Sequence, residues 1–174
     1  LRDGSAALAA YTLLKCGFAP DHPAIQRAAA FLIEGNPPHT YATGIQLHAL
    51  GGLGVPAHRK RMQELVKELA DLEVSGGFDY PGLGRADLSN TQVAALGFRA
   101  ADQAGLTLPK GIWARLVEAT LRYQESPVEI PGTALLPREQ RRMAGFAYEP
   151  GGAPSASLTT AGLTVLGIAS EVAG

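Results

Sequence analysis

Four polar residues crowd the point where a loop feeds an apolar helical segment: Asp87, Ser89, Asn90 and Gln92. Asp, Ser and Asn at a helix start satisfy the free N–H groups of the first turn, and capping accounts for Asp87 and Ser89. Gln92 falls inside the segment, beyond the reach of capping, and with Asn90 it is placed to line a cavity. Tyr41 and His48 stand seven residues apart on an uncharged segment, hence on one helix face. His48 reads either as a core histidine satisfied by a backbone carbonyl or as part of a cavity wall. Asp79 and Asp87 offer a carboxylate pair of the kind used in glycoside chemistry. The residues expected around a cavity are therefore Tyr41, His48, Asp87, Asn90 and Gln92; no residue is assigned a catalytic or metal-ligating role.

Other chemistry finds little support. His22, His39, His48 and His58 lack zinc-type spacing, and the single cysteine, Cys16, has no ligand-spaced partner and reads as a small buried apolar residue. Arg138, Arg141 and Arg142 form the one basic cluster; it is flanked by Glu139 and reads as solvated. A net charge of −1 gives no basic excess to favour nucleic acid. No apolar stretch is long enough to span a bilayer. The chain opens on Leu1 rather than Met, and it reads as one domain, 1–174, cut from a larger protein. The expected partners are an apolar small molecule, the remainder of that protein, or a second copy. No cofactor is implied, and no compartment is indicated.

The elements that must position these residues are helices. The composition, 46% hydrophobic and 18% charged, is globular. Ser5–Cys16, Thr40–Leu50, Thr91–Ala104 and Leu158–Ala169 are apolar nearly all round. Pro23–Glu34, Ala57–Leu72 and Ile112–Gln124 carry one apolar stripe each, such as Met62, Leu65, Val66 and Leu69. A helix apolar all round needs burial and a one-sided helix lies at the surface, so the alternation predicts an all-α fold of two layers, inner helices screened by outer ones. Lys60/Glu64 and Lys67/Asp71 are at helical pairing distance. Gly17, Gly35, Gly51, Gly54 and Gly105 fit helix C-caps, with Phe18, Val55 and Leu106 as apolar contacts after them. Residues 126–142 read as a long loop, and no strand of useful length is expected.

One phrase occurs twice. Gly77-Phe78-Asp79-Tyr80-Pro81 precedes Ser89-Asn90-Thr91-Gln92, and Gly145-Phe146-Ala147-Tyr148-Glu149-Pro150 precedes Ser157-Leu158-Thr159-Thr160. A loop that feeds a helix and recurs in one chain signals stacked helical repeats. Gln140-Arg141-Arg142-Met143-Ala144-Gly145-Phe146 resembles the Q-x(2–5)-G-x-W repeat of the prenyltransferase and squalene-oxidase repeat proteins approximately, with Phe for Trp and Gly directly before the aromatic. In the first copy Glu73 stands at the Gln position, and Gly76 and Phe78 keep the Gly-x-aromatic spacing. The resemblance implies an α/α toroid with alternating inner and outer helices, here a partial ring of about seven. It implies a ligand- or partner-binding repeat domain, or part of a terpenoid-cyclase-like enzyme. The D-x-D-D and D-D-x-x-D motifs of such enzymes are absent from these residues.

Overall fold

The computed structural model describes residues 2–35, 39–54 and 56–173. The contact expected of Val55 lies outside the described residues. Seven α-helices are present among them: α1 (Arg2–Lys15), α2 (Pro23–Glu34), α3 (Thr40–Leu53), α4 (Arg59–Asp71), α5 (Leu88–Gln103), α6 (Ile112–Leu121) and α7 (Ala156–Ala173). Two antiparallel pairs of two-residue strands also form: β1 (Glu73–Val74) with β2 (Gly77–Phe78), and β3 (Val128–Glu129) with β4 (Arg142–Met143). The second pair closes the stretch expected to be an open loop.

The helices start where local chemistry permits. Pro23 opens α2, and the His22 imidazole accepts the Ala24 N–H at 3.2 Å. The stripe on α4 buries Met62, Leu65, Val66 and Leu69. Each fully buried leucine there contributes about 2 kcal/mol of apolar transfer energy. The ion pairs of α4 run from Arg61 to Glu64 and Glu68, not from Lys60 or Lys67. Arg61 also donates to the Gly35 carbonyl at 2.8 Å, which ties α4 to the end of α2 and fixes the side chain's direction.

The odd-numbered helices form a row. α3 packs against α1 and α5, and α5 packs against α7. The even-numbered helices lie against that row: α2 on α1 and α3, α4 on α3 and α5, α6 on α5 and α7. The α3–α5 contact is backbone to backbone. A Cβ on Gly44 would sit 2.6 Å from the Val93 carbonyl oxygen, and one on Gly97 would sit 2.9 Å from the Gly44 Cα. Only glycine lets these two helices approach so closely.

The two helices at the ends of the row depart from expectation. Their sequences are apolar all round, yet Leu8 on α1 is 51% exposed and Leu163 on α7 is 59% exposed. Each end helix has a row neighbour on one side only, so half its circumference faces outward. Cys16 is exposed for a related reason: it follows the last turn of α1, which stands at the open end. Among the expected C-caps, Gly17, Gly54 and Gly105 adopt positive φ. Phe18 and Leu106 then return N–H bonds to Leu13 and Ala101. Gly35 caps α2 in an extended conformation instead, and Gly51 lies inside α3.

Candidate functional site

The two ends of the row's helices are chemically different. At the N-terminal ends, the repeated phrase becomes a repeated set of hydrogen bonds. Asp87 N–H donates to the Phe78 carbonyl at 2.9 Å, and Ser155 N–H to the Phe146 carbonyl at 3.2 Å. Phe78 N–H donates to Thr91 Oγ1 at 3.1 Å, and Phe146 N–H to Thr159 Oγ1 at 3.0 Å. Both cap residues take a first-turn amide: Asn90 N–H on Asp87 Oδ1 at 2.8 Å, Leu158 N–H on Ser155 Oγ at 3.3 Å. Phe78 and Phe146 are buried beneath these bonds, as a loop-packing role requires.

A third helix start follows the same plan, and the sequence reading missed it. His39 caps α3 by accepting the Ala42 N–H, and Thr43 Oγ1 donates to the His39 carbonyl at 3.0 Å. Thr91 Oγ1 makes the matching bond to the Asp87 carbonyl at 2.7 Å. The signal was a Thr four residues after the cap; His in place of Asp or Ser disguised it. The loops also bind backwards. Thr40, the first residue of α3, donates to the Asp79 carbonyl, and Leu88, the first residue of α5, donates to the Tyr148 carbonyl. Each Gly-aromatic loop therefore clamps its own helix and the row helix before it.

Asp87 and Asn90 belong to this clamp. Both are buried, and Asn90 Nδ2 donates to Asp87 Oδ2 at 2.8 Å. Burial, the Asp87 charge and a hydrogen bond to Asp87 push the Tyr148 phenol up to about 12. Asp79 is buried close by in sequence, with its Oδ2 unpartnered, and its backbone rather than its carboxylate holds Thr40. Gln92 is half-buried one turn into α5, and Tyr41 is exposed near the start of α3.

At the C-terminal ends lies a hollow of about 370 Å³, between the ends of α1, α3 and α5 and the start of α4. His48 lines it; Tyr41, Asp87, Asn90 and Gln92 do not. Tyr11 and His48 meet there with ring centroids 4.2 Å apart and planes tilted by 49°. Lys15 sits one turn beyond Tyr11 on α1, its ammonium 5.3 Å from the Tyr11 ring centre. Arg59 and Gln103 supply further polar groups, while Leu50, Met62 and Ala100 supply an apolar wall. Gly51 and Gly52 also line it on the α3 side, where Gly51 lies against Ala100 and Gly52 against Leu14 and Tyr11. Burial holds His48 below the ordinary imidazole range, the Lys15 and Arg99 charges add to this, and a hydrogen bond to the Leu96 backbone opposes it. His48 is therefore neutral at pH 7.

Tyr11, Lys15, Arg59 and Gln103 escaped the sequence reading because they come from three separate helices. Two local signs pointed there: the Tyr11/Lys15 pair at helical spacing, and a Gly51-Gly52 doublet inside a helix that continues past it. Among the described residues, no three His, Cys, Asp or Glu side chains converge as a metal site would require, and no helix is long and apolar enough to cross a membrane. Comparison of the chain with protein-family models, characterised proteins and solved structures finds no match.

Proposed function

We propose that this chain is a small-molecule-binding helical-repeat module, arranged as a partial ring of the α/α-toroid type seen in the prenyltransferase and squalene-oxidase repeat proteins. The alternation of row and flanking helices supports the arrangement, as does the loop clamp shared by successive row helices. One observation carries the binding reading: the hollow beside Tyr11 and His48. Its volume falls within the range of small-molecule sites, and its lining joins an apolar wall to a few polar groups. The row helices are held at their N-terminal ends by the clamps, which leaves their C-terminal ends to shape the hollow.

The test is a ligand-observed NMR screen of a small fragment library against the whole chain and its Gly52→Leu variant. A Cβ on Gly52 already meets Leu14 at 3.4 Å and Tyr11 at 3.7 Å, so a leucine there adds bulk beside Tyr11, and a thermal melt of the variant checks that it stays folded. Fragments that bind the unmodified chain and lose binding to Gly52→Leu support the reading. Fragments that bind both equally refute it.

A further inference from the structure

The hollow has a definite charge. Its lining includes Lys15 and Arg59 and no Asp or Glu. Neither cation forms an ion pair among the described residues. Arg59 donates to the carbonyls of Ala104 at 2.8 Å and Gly105 at 2.5 Å, which hold the guanidinium in place without neutralising it. Arg59 also opens α4, whose first turn carries Arg59, Lys60 and Arg61 and no acid. His58 makes no side-chain cap there, so the positive end of the α4 dipole adds to the field. The negative C-terminal ends of α1, α3 and α5 oppose it. Part of that charge is already engaged, by Arg59 at α5 and by the Gly54 amide on the Gly51 carbonyl at α3.

The hollow also has a definite shape. Tyr11 and His48 both line it, their ring centroids 4.2 Å apart and their planes tilted by 49°. A flat ligand uses such a wall better than a branched one, since stacking needs two extended faces. We propose that the hollow takes a small planar organic acid, its carboxylate held by Lys15 and Arg59 and its ring against Tyr11 and His48. This rests on the small-molecule reading above and names the ligand class. Arg59 is the anchor, because its two carbonyl bonds fix its direction. Lys15 is exposed and supplies charge from a flexible stem.

The test follows the Tyr11 and His48 ring resonances of the whole chain as benzoate, benzamide and inorganic phosphate are added separately. Benzoate should give saturable shifts, with affinity about tenfold above benzamide, the scale of one charge-assisted contact. Bound benzoate should also raise the His48 pKa, because its charge offsets that of Lys15. Lys15→Met should weaken benzoate severalfold and leave benzamide unchanged; the exposed position makes loss of fold no concern. Equal affinity for benzoate and benzamide would overturn the acid and leave the small-molecule site standing. Binding of phosphate without benzoate would overturn the planar part. Silence of both rings toward all three probes would count against the acid, and the fragment screen then decides separately whether the hollow binds anything.

Discussion

Asp87 shows how much one side chain can do here. Its two carboxylate oxygens take the Asn90 amide and the Asn90 side chain, and its own N–H holds the Phe78 carbonyl. Asp87→Ala removes the cap and strands a buried Asn90 donor, so we expect a loss of about 1–3 kcal/mol in urea denaturation. Ser155→Ala removes the matching cap at an exposed site and should cost less, about 0.5–1 kcal/mol. His48 makes a pH prediction. The unfolded chain protonates it near 6.5 and the folded chain protonates it lower. The stability it contributes is whole above the unfolded value and is lost as pH falls below it. His39 and His58 are lowered by burial and act in the same direction. Denaturation midpoints should therefore drop as pH falls from 6.5 through the lower folded-state values, and His48→Gln should flatten part of that slope.

At the scale of elements, the α3–α5 contact is set by two glycines. Gly44→Ala places a Cβ against the Val93 backbone oxygen, which cannot turn aside. We expect the overpacking cost of about 1–3 kcal/mol to outweigh the gain in helix propensity. Gly167 on α7 is the control, since a Cβ there meets nothing within 4 Å. Gly167→Ala should stabilise by about 0.5–1 kcal/mol. A pair of thermal melts checks both signs. The repeated Gly-aromatic loop and the Asp87 cap were readable from sequence because they are local; the rest of the clamp was not, since Ser89 lies inside α5, Ser155 rather than Ser157 caps α7, and the Thr91 and Thr159 bonds reach thirteen residues back. The helix types were readable for the same reason, since a stripe such as Met62, Leu65, Val66 and Leu69 is local. The hollow was not. Tyr11, His48, Arg59 and Gln103 are spread along nearly a hundred residues, and only packing brings them together.

Among the described residues, the row of helices has α1 at one end and α7 at the other. Leu8 and Leu163 mark those ends, and exposed apolar groups of this size favour association. We expect light scattering to show concentration-dependent self-association, and the double variant Leu8→Gln, Leu163→Gln to reduce both it and hydrophobic-dye binding. The same row gives the chain two chemically distinct rims, a clamped rim of loops and caps and a rim that encloses the hollow. We place binding at the second rim. The measurement that tests this most directly is an amide-resolved NMR map of the whole chain titrated with the fragments that bind it. We predict that the shifted amides cluster at Tyr11, His48, Gly51, Gly52 and Gln103. Shifts centred instead on Tyr41, Asn90 and Gln92, with the hollow unperturbed, would contradict it.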